Sequence, residues 1–256
     1  MEYQRVDLLG VKISAINMGQ AVTAIEHWIG EKQPHYVCVT PAHAVMDCYD
    51  HPGLRASYNA SGMTTPDGMA VVWWLCRHGQ RQVERVYGPD LMLAVCRRSL
   101  ETGWRHFFYG GGPGVAEDLG RSLQTRFPGL QVVGVYSPPF RQLSVDEDRA
   151  VMAQIVTSQA DIVWVGLGAP RQEIWMSDHL GRVGAPVLVG VGAAFDFLSG
   201  HKRQAPRWIQ RSGLEWLFRL GSEPRRLWRR YILGYPRFMV LAGLQAMREF
   251  NHHQEA

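Results

Sequence analysis

The sequence has 256 residues, 46% of them apolar and 20% charged, with a net charge of +4. Those values fit one large α/β domain, or one domain with a C-terminal extension, and exclude a largely disordered chain. They also exclude a spanning helix: no apolar run approaches the ~18–20 residues a bilayer requires, and the longest stretch, 238–247, is interrupted by Gly243 and Gln245.

The charge is unevenly placed. Residues 201–250 hold 11 Lys and Arg against 3 Asp and Glu, while the first 200 residues are slightly acidic. A basic tail on an acidic body points to an anionic partner. Cys38, Cys48, Cys76 and Cys96 form no C-x-x-C pair and read as reduced thiols. The N-terminus has no basic start followed by an apolar block, so no signal peptide is expected. The expected place is the cytoplasm, or a membrane surface without crossing. No internal repeat is present.

The first residues alternate apolar and polar. A helix is predicted over 18–29, where Val22, Ile25, Trp28 and Ile29 make an apolar stripe. The run 36–40 reads as a buried strand, followed by Pro41-Ala42-His43. The segment Thr64-Thr65-Pro66-Asp67-Gly68 precedes a helix over 68–77, and another helix spans 89–101. A strand at 105–109 leads into a glycine cluster at 110–114 and a helix at 114–126. A strand at 130–136, a helix at 145–159 and a strand at 161–165 follow. The turn Gly166-Leu167-Gly168-Ala169-Pro170-Arg171-Gln172-Glu173 precedes a last strand at 186–191. Strand–helix alternation at this spacing predicts a Rossmann-like parallel sheet with helices on both faces. Ligands then bind beyond the C-terminal strand ends.

The strand-end loops carry the candidate chemistry. The cluster holding Gly110 and Gly111 suits a diphosphate at a helix N-terminus, but a tight turn explains it equally well. It departs from G-x-G-x-x-G, since Val occupies position 115, and it has no Walker lysine. That weakens a dehydrogenase or P-loop reading. Asp67 before Gly68 reads first as a turn or cap, with a general base as the alternative. Gln172 and Glu173 read locally as a solvated first helical turn. Asp146-Glu147-Asp148 resembles a D-x-D metal–diphosphate site. However, Ser144 with Glu147 three residues later is a capping box, so the acids mark a helix start. Losing that candidate favours chemistry without a metal or other cofactor.

The tail, GLEWLFRLGSEPRRLWRRYILGYPRFM from Gly213, reads as short helices. Ser222-Glu223-Pro224 is read as a helix start with Ser222 as cap. Arg226, Arg229 and Arg230 are expected on one face, with Leu227, Trp228, Tyr231 and Ile232 on the apolar side. Basic and aromatic residues together suit an anionic lipid interface. No RGG-like segment or stacking platform supports nucleic-acid binding. The expected organisation is a core at 1–200, a basic helical membrane-associating appendage at 201–250 and a disordered end at 251–256.

Several stretches together resemble the WecG/TagA/CpsF glycosyltransferases, glycosyltransferase family 26. They are Thr65-Pro66-Asp67-Gly68-Met69 with Trp73, Glu84-Arg85-Val86-Tyr87-Gly88-Pro89-Asp90-Leu91, Phe108-Tyr109-Gly110-Gly111, and Gly166 through Glu173. Val191-Gly192-Ala193-Ala194-Phe195-Asp196 and the tail complete the set. The resemblance implies an inverting transferase that takes a UDP-sugar donor and an undecaprenyl-diphosphate-linked sugar acceptor. It implies work in teichoic acid, capsule or exopolysaccharide synthesis, at the inner face of the cell membrane, and leaves homo-oligomerisation open. It makes Asp67 the base and carries Thr40, Arg85, Gln172 and Glu173 into the substrate site. It maps the appendage arginines onto Arg219, Arg226 and Arg229. Many members have T-x-N after the first core strand. Here Thr40-Pro41-Ala42-His43 lacks the Asn, and His43 stands nearest to replace it. The donor sugar stays open among N-acetylmannosamine, its uronic acid and glucose. A non-catalytic membrane scaffold and a nucleotide-dependent oxidoreductase are the alternatives from other classes.

Overall fold

The computed structural model describes residues 3–254. A short antiparallel hairpin, β1 (Arg5–Leu8) and β2 (Val11–Ser14), opens the chain. Helix α1 (Met18–Glu31) starts at a capping box: Asn17 accepts from the Gln20 amide while the Gln20 side chain accepts from the Asn17 amide. Strand β3 (His35–Thr40) is followed by α2 (Ala42–Asp50), α3 (Pro52–Ala60), β4 (Met63–Pro66) and α4 (Met69–Arg77). Next come α5 (Gly88–Thr102), β5 (Arg105–Gly110), α6 (Val115–Arg126), β6 (Gln131–Tyr136) and α7 (Val145–Ser158). Strand β7 (Ile162–Gly166), α8 (Arg171–His179), β8 (Val187–Gly190) and α9 (Ala194–Leu198) complete the strand-bearing part.

The main sheet has six strands in the order β4-β3-β8-β7-β5-β6, all parallel. Alternate residues face opposite layers, as a pleated strand requires. Tyr36, Phe107, Val163 and Leu188 join one core, and Val37, Phe108, Ile162 and Val187 the other. Two-sided burial is why these strands read as near-continuous apolar runs. The edge strand β6 is only half buried.

The five expected strands are present, with a sixth, β4, reaching into the segment that was read only as preceding a helix. At four residues with two threonines and a proline, β4 shows no period of its own. Its pairing with β3 makes it a strand. The hairpin and helices α2 and α3 were likewise not expected, while α8 begins where Gln172 and Glu173 were read as a first helical turn. The capping box at α7 is as read: the Glu147 amide donates to Ser144 Oγ at 3.2 Å, and the Ser144 amide to the Glu147 carboxylate at 2.8 Å.

The tail folds as α10 (Arg207–Arg211), α11 (Glu215–Ser222), α12 (Pro224–Trp228), a π-helical segment (Arg229–Gly234) and α13 (Tyr235–Gln254). Ser222 is not the cap of α12, because it still belongs to α11 and donates to the Phe218 carbonyl; Glu223 stands at the cap position. Helix α13 runs through 251–254, most of the stretch expected to be disordered, and the final two residues lie outside those described. The tail shares the core. Phe238 and Ala242 pack with the sheet cluster, Arg237 pairs with Asp50 at 2.6 Å through both nitrogens, and Gln245 accepts from the Leu9 amide at 2.8 Å.

Candidate active site

A cavity of about 520 Å³ lies beyond the C-terminal ends of the strands, where parallel sheets place ligands. Each sheet strand contributes through the loop that follows it: Pro41 and His43, Asp67, Gly111 and Gly112, Phe140, Gln172, and Gly192 to Asp196. Lys202, Arg219, Arg226 and Arg230 close it with positive charge. A smaller cavity of about 170 Å³ opens between α4 and the tail helices and is lined by Trp73, Trp216, Tyr231 and Tyr235. Pro41, His43, Asp67 and Arg219 belong to both linings, so the two spaces meet there.

Asp67 sits between β4 and α4. Its amide donates to the Thr40 carbonyl at 3.3 Å, and Gly68 turns the chain at φ 87° into the helix. Arg85 reaches it from the segment before α5: both Nε and Nη2 lie 3.0 Å from Asp67 Oδ1. Arg85 Nη2 also lies 2.7 Å from Glu215 Oε2, an ion pair of poorer direction than a good hydrogen bond. The guanidinium stacks over the Tyr87 ring, 4.1 Å from its centroid. All three charged side chains are mostly buried, at 13%, 17% and 12% exposed for Asp67, Arg85 and Glu215. Burial raises the Asp67 pKa, Arg85 opposes that, and Glu215 adds to it. Burial works against the Arg85 charge, but the two carboxylates outweigh it and hold the pKa above its ordinary value. His43 is pushed well below its ordinary pKa by burial, then by Arg230 and Arg219, so it is a neutral imidazole at pH 7.

The sequence matches the family described as glycosyl transferase WecG/TagA/CpsF over residues 6–252. The chain belongs to that family. Its members are glycosyltransferases of cell-surface polysaccharide synthesis, and the six-stranded parallel sheet is the expected core.

In this WecG/TagA/CpsF chain, Asp67, His43, Gln172, Gly111, Arg219 and Arg226 line the main cavity, and Arg85 lines the smaller one. Other predicted residues turn away. The Thr40 hydroxyl donates to the Cys38 carbonyl at 2.9 Å beneath the cavity floor. Gly110, at φ 137°, faces the neighbouring strand, where a Cβ would meet the Gly166 backbone at 2.5–2.7 Å. Close strand approach therefore accounts for that glycine, while Gly111 and Gly112 face the cavity. Gln172 and Glu173 are not solvated: they are 4% and 0% exposed. The Gln172 amide nitrogen donates to Glu173 at 2.8 Å, and its buried Oε1 has no protein partner where it lines the cavity. Glu173 turns into the core beside Tyr58, and burial raises its pKa.

Arg229 is exposed and lies over the Trp228 ring at 5.3 Å, outside the cavity lining. Arg230 takes the inward place instead. Arg230 lines the cavity with Arg226, and the π-helical segment begins one residue before it. The expected single face for Arg226, Arg229 and Arg230 therefore splits. Sequence reasoning also passed over Lys202, which lies 2.9 Å from Asp196, and Tyr87 beneath Arg85. No local pattern marks Lys202, and Tyr87 stood in the 84–91 stretch without a role of its own. Among the described residues no cluster of three or more His, Cys, Asp or Glu is arranged to hold a metal ion, and no helix is long and apolar enough to cross a membrane.

Proposed function

We propose that the protein is an inverting transferase. It moves N-acetylmannosamine, N-acetylmannosaminuronic acid or glucose from UDP onto an undecaprenyl-diphosphate-linked sugar. The observation that carries this reading is that Asp67 stands on the wall common to both cavities. The larger, cation-rich cavity takes the UDP-sugar, and the smaller, aromatic one takes the acceptor sugar. Asp67 removes the proton from the acceptor hydroxyl. That oxygen bonds to the anomeric carbon as the carbon–oxygen bond to UDP breaks on the opposite face, which inverts the centre. Arg219, Arg226, Arg230 and Lys202 offset the charge left on UDP, so the reaction runs without a divalent metal. Gln172 Oε1 accepts from a donor group on the substrate, which relieves a buried orphan. His43, uncharged between two arginines, takes the place of the Asn of related chains.

The tail helices form the membrane-facing part. One face of α13 packs on the core through Tyr235, Phe238 and Ala242. The other exposes Met239, Val240, Leu244, Met247 and Phe250, next to exposed Ile232 and Leu233. An apolar outer face beside basic residues supports a peripheral seat on anionic lipid at the inner face of the membrane. The test is UDP release from a panel of UDP-sugars, with a short-chain lipid-diphosphate-sugar acceptor and EDTA. Acceptor-dependent release with one of the three donors is the expected result. Silence across the panel from folded protein with lipid supplied refutes the reading.

A further inference from the structure

Glu215 has no role in the transfer as written above, yet its carboxylate lies 2.7 Å from the guanidinium that grips Asp67. It comes from the first turn of α11, whereas Asp67 follows β4 and Arg85 precedes α5. Three distant parts of the chain thus converge on one charge relay. An arginine shared between two carboxylates neutralises each of them less than it would neutralise one alone. We propose that Glu215 is a positioning residue for the base: it holds the far edge of Arg85 and keeps that cation from being spent on Asp67 alone. The base is then correctly set only while α11 is seated on the core. This rests on Asp67 being the base.

The surroundings of Asp67 make Glu215 the group that tips this balance. Burial is the largest influence raising the Asp67 pKa. Arg85 and, more weakly, Arg219 from α11 oppose it, and Glu215 reinforces it. His43 from α2 faces the same space as a neutral ring. Tyr87, Tyr231 and Tyr235, from the segment before α5, the π-helical segment and α13, stay uncharged because burial raises each of them. A carboxylate held by Arg85 without Glu215 would be a more stable anion and a weaker base. A merely structural alternative exists, since an acid in a first helical turn also favours the helix dipole. The two differ in what they do to the pH profile.

The experiment measures kcat/KM for UDP release against pH in the full-length protein and in Glu215→Gln, with thermal melting as a folding check. The acid limb is expected to move about one pH unit lower, with plateau kcat down on the order of threefold, because the base is weaker. A limb that stays in place in a folded variant overturns the proposal, since a structural role scales the whole profile without moving it. If the Gln protein does not fold, Glu215→Asp withdraws the carboxylate by one methylene. It should move the limb the same way by less, and no movement or upward movement overturns the proposal. Asp67→Asn separates the two readings. Normal turnover in that protein refutes the base assignment itself. An inactive Asn protein beside an unmoved limb in the Gln protein refutes only the role of Glu215.

Discussion

Replacing Asp67 by Asn keeps its size and its neighbours but removes the proton acceptor. Turnover is expected to fall by about 10²–10⁴-fold, with little change in melting temperature, as read by UDP release and thermal melting. Because burial raises the Asp67 pKa, the wild-type acid limb should lie above the usual carboxylate range, with activity gained as pH rises through it. The arginines offer a sharper contrast. Arg230→Ala should lower kcat/KM for the UDP-sugar by about 10-fold or more, and Arg229→Ala by little, since only Arg230 lines the cavity. Equal losses from both would refute the assignment. Away from the site, His106 is fully buried: Trp164 Nε1 donates to its Nδ1 at 2.9 Å, and its Nε2 faces Ser99 Oγ at 2.9 Å. Burial lowers its pKa to about 4. The unfolded chain takes up this proton near pH 6.5, so the His106 contribution is complete above that pH and is lost as pH falls toward 4. The total is roughly 3 kcal/mol. Melting temperature should fall over that window in the wild type and less steeply in His106→Gln.

At the scale of elements, the junction of β5 and β7 sets the cavity floor. Gly110 and Gly166 pass so closely that a Cβ at Gly110 would lie 2.5 Å from the Gly166 carbonyl carbon, and one at Gly166 would lie 2.5 Å from the Phe195 ring. Backbone cannot yield as a flexible side chain can. Gly110→Ala, with its φ of 137° as well, should therefore destabilise the fold by about 2 kcal/mol or more in denaturant titration. A near-neutral result would mean the strands separate easily. The π-helical segment after α12 acts at the same scale. Within it Arg230 lines the cavity while Ile232 and Leu233 are exposed.

For the whole molecule, the two faces of α13 make separable predictions. Val240→Ser with Leu244→Ser should weaken co-sedimentation with anionic vesicles several-fold while leaving turnover on a short, soluble acceptor intact, because both side chains are exposed and neither lines a cavity. Undiminished vesicle binding would refute the lipid-facing assignment. The opposite face is pinned by Arg237 on Asp50, by Gln245 on Leu9 and by Phe238 in the core, so the tail closes the site as part of one packed body.

The sequence by itself determined the parallel α/β core. Strands buried on both faces leave unbroken apolar runs, and capping boxes such as Ser144 with Glu147 are written in adjacent residues. It also marked the loops that carry Asp67 and Gln172, because glycine and proline punctuation is local. Tertiary structure alone decided the rest. β4 is a strand only because β3 pairs with it. Gln172 and Glu173 are buried only because α8 packs beneath the cavity, a contact that a polar pair in a helical first turn does not announce. The choice of Arg230 over Arg229 depends on how the tail helices are docked, to which a spacing of three or four residues is blind. The charge relay of Asp67, Arg85 and Glu215 joins residues far apart in the chain, and no local pattern encodes a Coulomb interaction that exists only once the tail is docked.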